Sequence, residues 1–327
     1  MKQLIENILN DLPHGKIGVL GDFCVDVYWD IAPDQGEKSI ETGRTTIPVT
    51  CARYSPGGAG NIVANLRGIG VENIHCFGLY GSDPFGIWMN GALASQNATQ
   101  LIRVERADYH TPVYCKPLLQ EIEQSRFDLG NTPVADEEAV QVINSLRRAA
   151  SELKVLIINS QLANGLHSAF FRKLLKEFMD EFQNTVTFVF DGRDFLDAYP
   201  LAILKINADA ASNFAFGKGG VIPEISGREI LKRNNFVPLV ITDGRKGCTV
   251  FEKNGETAIP AVPVHGKIDT VGAGDSHVSG FSCALACQKS IVEAAIFGNC
   301  CSSVTIRKIN QTGVPYPHEL RQLLENN

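Results

Sequence analysis

The strongest constraint on the fold is an alternation of short apolar segments with segments of helical periodicity. Stretches such as 137–153 and 166–182 repeat apolar residues at i, i+3 and i+4, which is typical of helices that cover a core. Apolar runs of strand length lie between such stretches, at 16–23, 73–81, 154–160, 185–191, 201–207 and 238–244. Strands that are apolar on both faces and joined by crossover helices form a mostly parallel sheet covered on two sides. The sequence therefore predicts an α/β fold.

Two segments depart from this alternation of strands and helices. Residues 24–56 and about 98–129 are extended and polar-alternating, without helices between their strands. Such strands do not join a parallel sheet easily, and we expect them to form a small β-sheet lid over one end of the main sheet. Near the C-terminus, 247–264 is predicted to be a hairpin around Asn254-Gly255, and 274–324 to be helical with breaks at 289–290 and near 313–317.

Composition limits the partners and the compartment. The formal net charge of −6 provides no basic excess for nucleic-acid binding. No run approaches the ~20 apolar residues that span a bilayer, and the N-terminal segment has the spacing of an amphipathic helix rather than a signal peptide. The nine cysteines include no C-x-x-C pair. We expect one cytoplasmic domain over 1–327, with no nucleic-acid or membrane partner.

A glycine-rich turn before a helix carries the clearest chemical signal. Residues 269–276 read DTVGAGDS and are followed by an apolar-periodic helix. Glycines let a phosphate approach the backbone amides at a helix N-terminus, where the helix dipole favours negative charge. Asp275 directly after this turn is placed to accept a proton from an attacking hydroxyl. The alternative is that the glycines only shape a tight turn and Asp275 caps the helix.

The turn resembles the second signature of the PfkB, or ribokinase, family of carbohydrate kinases, whose pattern is D-T-x-G-A-G-D. All six specified positions match. The resemblance implies a ribokinase-like three-layer α/β/α domain that uses ATP and Mg²⁺. It further implies that Asp275 is the base that deprotonates the sugar hydroxyl, and that the amides of Gly272, Ala273 and Gly274 form an anion hole for the γ-phosphate.

A second segment, 55–61, reads SPGGAGN and opens a helix. On its own it is either a flexible turn with a helix cap or a binding loop. It resembles the family's first signature, which implies that Gly57, Gly58 and Asn61 contact sugar hydroxyls. Asn61 comes three residues after the second glycine, as in bacterial heptose-phosphate kinases that have a P-G-G-A-A-N segment.

Two carboxylates follow the first predicted strand. Ligands of open α/β sheets bind beyond the carboxyl ends of the strands, and a carboxylate accepts two or more hydrogen bonds from a polyol. Asp26 matches the family's early sugar-binding Asp, and Asp22 resembles the heptose-phosphate kinase group. A solvated turn is the alternative for either residue. Arg193 follows another strand and is a candidate to bind a phosphate of the substrate or of ATP. The alternative for Arg193 is an ordinary surface salt bridge.

The nucleotide positions follow from the resemblance alone. Asn207 matches the Asn of the family's N-x-x-E motif, and the 241–247 segment resembles its T-x-G segment beside the ATP phosphates, which implicates Thr242, Gly244 and Lys246. The Glu position of N-x-x-E holds Ala210, and this departure puts the usual support for Mg²⁺ in doubt. The resemblance also suggests a monovalent cation (K⁺) near the loop at 269.

Two function hypotheses therefore stand. The first is an ATP-dependent kinase of a sugar or sugar phosphate, with a heptose phosphate suggested by the 55–61 segment. The second is a sugar-binding regulator that kept the fold and lost catalysis, which the missing Glu favours. Kinases of nucleosides or vitamins remain a third option inside the same fold. A lid with apolar exposed faces is further expected to pair with a second copy as a homodimer.

Overall fold

The structure is a computed structural model that describes residues 1–12, 16–309 and 312–323. The strands, β1 to β15 in chain order, are Lys16–Gly21, Phe23–Ile31, Val49–Gly58, Asn73–Phe77, Leu79–Gly81, Ile102–Val104, Val113–Leu119, Ile122–Glu123, Phe127–Leu129, Val155–Ser160, Thr187–Gly192, Ile203–Asn207, Leu239–Thr242, Cys248–Glu252 and Gly255–Ile259. The helices, α1 to α10, are Lys2–Asp11, Ala59–Ile69, Pro84–Ala94, Asp136–Ala149, Ala169–Phe182, Ala208–Phe216, Pro223–Arg233, Ala273–Ala286, Ile291–Thr305 and Pro317–Gln322.

The main sheet has eight strands in the order β15-β14-β13-β12-β11-β10-β1-β4. The strands from β13 to β4 in this order run parallel, and β14 and β15 form an antiparallel hairpin at one edge. The predicted mostly parallel sheet and the predicted hairpin are therefore confirmed. The predicted helical tail appears as α8, α9 and α10, and its last residue, Leu324, lies outside the described residues.

Helices cover both faces of the main sheet. One apolar core packs α2, α8 and α9 against one face, and a second core packs α4, α5, α6 and α7 against the other. The strand residues alternate between the two cores, as Ile157 and Ile158 of β10 do. This is the three-layer α/β/α arrangement that the resemblance implies.

A second sheet of five strands contains β3, β2, β7 and β8 in that order, with β9 also paired to β7. Its first chain segment contains β2 and β3 and spans residues 23–58, where the sequence predicted 24–56, and its second segment is shorter than the predicted 98–129. Residues 98–104 contact the main body instead, because Ala98 bridges to Ile74 of β4 and β6 pairs with β5. The strands of the second segment begin only at Val113. Polar alternation alone does not distinguish these two environments.

The carboxyl ends of the parallel strands bring polar and charged residues together at one edge of the main sheet. Strands β1, β10, β11, β12 and β13 all end there, and the second sheet continues from β1 through β2. Residues in register across neighbouring strands meet at this edge, including the pairs Asp191 with Lys205 and Asn207 with Thr242. Among the described residues, none of the helices combines the length and apolar character that crossing a membrane requires.

Candidate active site

The glycine turn before α8 is built around a left-handed residue. Gly272 is the N-cap, with φ of +77°, and a Cβ at this position would lie 2.8 Å from the Cγ2 atom of Thr312. Glycine is therefore required both for the backbone conformation and for the space. Asp269 supports the turn, because its Oδ1 atom accepts a hydrogen bond of 3.0 Å from the Val271 amide. The turn thus delivers Asp275 to the first turn of α8.

This turn borders an open cleft. A cavity of about 390 Å³ lies between the second sheet and the turn, and its lining includes Tyr28, Arg53 and Leu118 from the sheet and Asp269 and Val271 from the turn. The second sheet therefore stands opposite the N-terminus of α8, as expected of a lid.

The predicted anion hole is modified by a lysine. The Ala273 amide already donates to the Thr270 carbonyl at 3.2 Å. The next residue is Gly274, and the Nζ atom of Lys205 lies 3.1 Å from the position that a Cβ atom on Gly274 would occupy. Any larger side chain at residue 274 would meet this ammonium group. A positive charge therefore sits directly against the turn that was expected to bind phosphate through amides alone.

Lys205 is held by a buried ion pair. Its Nζ atom lies 3.0 Å from Oδ1 of Asp191, and the two side chains are only 7% and 14% exposed. The pair joins the carboxyl ends of β11 and β12. The sequence analysis selected neither Lys205 nor Asp191 for this ion pair. The two residues are 14 positions apart and become neighbours only through the strand register. The available signal was a Lys inside an otherwise apolar strand, which has to find a buried partner.

The pKa of Asp275 is shifted far from the ordinary value of a carboxyl group. Burial, reinforced by the negative charge of Asp191, raises the pKa of Asp275 to about 7. The Lys205 ammonium and a hydrogen bond of 3.3 Å from Nδ2 of Asn61 to Oδ2 of Asp275 act in the opposite direction. A carboxyl group with this pKa is partly ionised at neutral pH and exchanges protons easily.

The first glycine signature lies next to Asp26. A Cβ at Gly57 would stand 2.8 Å from Oδ2 of Asp26, and Gly58 has φ of +56°, with no room for a Cβ beside the Asp22 carbonyl. Asn61 follows in the first turn of α2 and reaches Asp275. The structure therefore brings Asp26, the glycine pair and Asn61 to one side of Asp275.

Asp26 is itself paired, with a lysine that the sequence analysis did not select. The Nζ atom of Lys116, on β7, lies 2.7 Å from Oδ1 of Asp26 and 3.3 Å from the Tyr28 hydroxyl. Both partners of the ion pair are largely buried. The pairing of β2 with β7 creates this contact, so no local pattern in the sequence announces it.

Asp22 has a structural role in this geometry. Its carboxylate accepts hydrogen bonds of 2.8–2.9 Å from the backbone amides of Gln161, Leu162 and Leu166. Both oxygens are thereby used to hold the loop after β10 against the start of β2. This arrangement does not support the predicted contact of Asp22 with a substrate hydroxyl, and it explains the buried carboxylate without one.

The predicted nucleotide residues gather at the ends of β12 and β13. The Asn207 side chain caps α6 by accepting a hydrogen bond of 2.8 Å from the Ala210 amide. Thr242 is in register with Asn207 on the next strand, and Gly244 follows with φ of +50°. Lys246 is exposed and pairs with Asp243 at 2.9 Å. Lys246 therefore lies at the rim, where a phosphate would have to compete with Asp243.

Comparison with known proteins places this arrangement in a family. The model of the pfkB family carbohydrate kinases matches residues 23–318. The chain therefore belongs to the PfkB family of carbohydrate kinases, and the predicted class, a phosphotransferase that acts on a sugar hydroxyl, is confirmed at the level of the family.

Related sequences are distant. The chain is 22% identical to the bifunctional protein HldE of Hydrogenovibrio crunogenus over 329 residues, which cover 94% of this chain and 62% of that protein. It is 25% identical to HldE of Aeromonas hydrophila over 328 residues, covering 97% and 65%. The chain thus spans less than two thirds of the length of these relatives.

Solved structures confirm the ribokinase-like fold. Ribokinase from Thermotoga maritima superposes with a TM-score of 0.72 at 20% identity, covering 95% of this chain and 99% of that one. Phosphofructokinase-2 from Escherichia coli in complex with potassium gives 0.75 at 18% identity, covering 95% and 98%. Arabidopsis thaliana ribokinase complexed with ribose and ATP gives 0.69 at 18% identity, covering 95% and 99%.

Proposed function

We propose that the protein is an ATP-dependent kinase that transfers the γ-phosphate of ATP to a hydroxyl of a sugar or sugar phosphate. The single observation that carries this proposal is the position of Asp275. Its carboxyl group, with a pKa raised to about 7 by burial, sits at the glycine turn, beside Asn61 on the acceptor side and Lys205 on the phosphate side. A capping residue alone would need neither neighbour.

The residues support an in-line transfer in which Asp275 accepts the proton of the attacking hydroxyl. The hydroxyl oxygen forms a bond to the γ-phosphorus while the bond from that phosphorus to the bridging oxygen breaks. ADP leaves with the electron pair. Lys205 and the Gly274 amide lie beside the position that this proposal gives to the transferred phosphoryl group. Fixed positive groups at such a position stabilise the negative charge of the transition state and lower the activation barrier of the transfer. Asp191 keeps the lysine there.

Mg²⁺, when bound with ATP, neutralises negative charge on the phosphates. The described part of the chain contains no group of three or more His, Cys, Asp or Glu side chains that could hold a metal ion, and Ala210 offers no carboxylate. We therefore assign Mg²⁺ to the phosphates of ATP, which commonly hold it with few protein ligands. The monovalent cation near Asp269 stays a prediction, supported only by the potassium in E. coli phosphofructokinase-2.

ADP formation from MgATP with a panel of sugars and sugar phosphates tests the proposal. We expect at least one acceptor to increase ADP formation well above the rate with ATP alone. The regulator hypothesis predicts instead that a sugar binds, as measured by calorimetry, without ADP formation. The panel also includes nucleosides and vitamin alcohols. ADP formation with one of these and with no sugar would indicate the remaining alternative, a nucleoside or vitamin kinase of the same fold.

The pH dependence should report on Asp275. Because Asp275 accepts a proton only when ionised, kcat/KM should rise with pH and level off above a pH of about 7. In Asn61→Ala, a hydrogen bond that lowers this pKa is lost, so the rising limb should move to higher pH. Profiles of kcat/KM for the wild type, Asn61→Ala and the exposed control Asn144→Ala check this. An Asn61→Ala profile that is unchanged or moves to lower pH would contradict it.

We also propose that two copies pair through the outer face of the second sheet. Leu119, Ile122 and Phe127 lie on the face opposite Tyr114 and Lys116, because side chains alternate along β7 and its partners. These three side chains are exposed at the end of that face, whereas Val113 and Cys115 on the same face are buried in the core. Sedimentation equilibrium should give twice the chain mass for the wild type and the single mass for Phe127→Asp. Ile225→Asp, on an exposed part of α7, should stay dimeric. A monomeric wild type would refute the pairing.

A further inference from the structure

Three hydrogen bonds join the end of α9 to the glycine turn. They connect the Ser302 hydroxyl to the Ala273 carbonyl at 2.9 Å, the Thr305 hydroxyl to the Ser276 hydroxyl at 2.8 Å, and the Asp269 amide to the Ile306 carbonyl at 2.9 Å. Residues three and four positions apart are neighbours on a helix surface, so positions 302, 305 and 306 share one face. The turn that carries Asp275 is therefore held along its length by a single face of α9.

Helices α8 and α9 also approach each other closely. A Cβ atom on Gly280 of α8 would lie 3.3 Å from the Cα atom of Gly298, and a Cβ atom on Gly298 would lie 2.9 Å from the His277 carbonyl oxygen. Gly298 stands one helical turn before Ser302 on α9. Backbone packs on backbone at this crossing, which leaves α9 little freedom to shift relative to the start of α8.

The Ser302 contact acts on the peptide unit that joins Ala273 to Gly274. This unit is planar and trans, so its C=O and N–H bonds point in opposite directions. A hydroxyl that holds the Ala273 oxygen toward α9 therefore aims the Gly274 N–H away from α9. A hydrogen bond to the oxygen also polarises the peptide unit and strengthens its N–H group as a donor.

The Gly274 amide is suited to a phosphoryl group. The first amides of a helix have no partner inside that helix, and Gly274 is the second residue of α8. Gly274 is exposed, and the Lys205 ammonium group lies beside it. The preceding amide, that of Ala273, already donates to the Thr270 carbonyl. The orientation of the Gly274 N–H therefore matters more for phosphate binding than that of its predecessor.

An ordinary contact within the helix is the alternative role for Ser302. Its hydroxyl also lies 3.2 Å from the Gly298 carbonyl oxygen, four residues earlier, and serines in helices often form such bonds. A hydroxyl has one proton and donates to one oxygen at a time, and the contact with Ala273 is the shorter one. The next residue, Ser303, donates to the Cys300 carbonyl within α9 at 2.7 Å and so offers a matched control.

We propose that Ser302 is a positioning residue for phosphoryl transfer, whose hydroxyl fixes and polarises the peptide unit that presents the Gly274 N–H to the transferred group. Ser302 acts through the Ala273 carbonyl and touches no substrate. The acceptor-side residues Asp26 and Asn61 belong to other elements, so the effect falls on kcat rather than on the acceptor KM. This inference rests on the proposed kinase function and assigns the support of its anion hole.

Kinetics of Ser302→Ala, Ser302→Thr and Ser303→Ala with a reactive acceptor test the proposal. Complete loss of one donor to a developing negative charge costs about 10²- to 10³-fold in kcat, and a donor that remains but is less well aimed costs less. We therefore expect Ser302→Ala to lower kcat about tenfold with a nearly constant acceptor KM. Ser302→Thr keeps the hydroxyl and should recover most of the loss, while Ser303→Ala should stay within about twofold of the wild type.

Two further measurements separate positioning from a general loss of structure. Each alanine variant loses one hydrogen bond from a side chain to the main chain, so chemical denaturation should give similar, small losses of stability for both. The Gly274 amide resonances in NMR spectra should move in Ser302→Ala and stay in place in Ser303→Ala, because a hydrogen bond at the carbonyl oxygen changes the electron distribution of the whole peptide unit.

The outcomes separate the two proposals. A Ser302→Ala variant that turns over as fast as Ser303→Ala, or that leaves the Gly274 resonances unchanged, would overturn the positioning role and leave the kinase standing. Equal losses of kcat in both alanine variants, in step with lost stability, would reduce Ser302 to a structural role. A wild type that forms no ADP with any acceptor would refute the kinase, and the role of Ser302 in transfer would fall with it.

Discussion

Replacement of Asp275 by Asn should lower kcat about 10²- to 10⁴-fold, the range in which a positioned general base contributes to proton transfer. The amide keeps the shape of the side chain and its contact with Asn61, so affinity for the acceptor should change little. The expected signature is therefore a loss in kcat with a nearly constant acceptor KM, measured by ADP formation with a reactive acceptor.

Protein stability provides the control for this variant. The folded structure raises the pKa of Asp275 to about 7, above the ordinary value of 3.8, so its ionised form is disfavoured by folding. That cost is fully present above pH 7 and disappears as the pH falls below 3.8, which means that Asp275→Asn should be at least as stable as the wild type at pH 8. Thermal unfolding checks this, with the exposed Asp180→Asn as a matched control. Near-normal turnover in a well-folded Asp275→Asn would contradict the assignment.

Replacement of Lys205 by Met should damage both catalysis and folding. The change removes the positive charge beside Gly274 and leaves the largely buried Asp191 carboxylate without its partner. Loss of one member of a buried pair commonly costs about 3–5 kcal/mol, and loss of one fixed charge-stabilising group costs about 10²- to 10³-fold in kcat. The pKa of Asp275 should also rise further, because Lys205 is one of the groups that lowers it.

A double variant separates these effects. Asp191→Asn combined with Lys205→Met removes both charges, so most of the lost stability should return while kcat stays low. Chemical denaturation and ADP formation on the single and double variants measure the two quantities. Recovery of activity together with stability would show that Lys205 serves folding alone, and it would remove the lysine from the proposed transfer step.

The parts of the fold that depend on local pattern were predictable from the sequence. Strands of the main sheet, the hairpin at 254–255 and the breaks between the last three helices follow from apolar periodicity and from turn residues, which act within a few positions. Helix α7, Pro223–Arg233, was not predicted, because its polar face interrupts the apolar spacing. The second lid segment also begins later than predicted, since strand-like polarity occurs as well in β6, which pairs with β5 outside the second sheet.

The residues of the candidate site also fall into those that a local motif indicates and those that only the tertiary fold brings together. The two glycine signatures, Asp26 and Asp275 lie in contiguous motifs and were selected from the sequence. Lys205 and Lys116 were not, because their partners come from other strands and the register of those strands is not written locally. Asp22 was selected for its position beside the site, and no local pattern indicated that three backbone amides donate hydrogen bonds to its carboxylate. Its contact with a substrate hydroxyl stays a prediction.

The central claim is that Asp275 deprotonates a sugar hydroxyl that attacks the γ-phosphate of ATP. Transfer of label from ATP labelled in the γ-phosphate to the acceptor tests this claim most directly, with product identified as an acid-stable sugar phosphate ester. The account predicts labelled ester with the wild type and a rate lowered by two or more orders of magnitude with Asp275→Asn. Label released only as inorganic phosphate by the wild type, or ester formed at the same rate by both proteins, would contradict it.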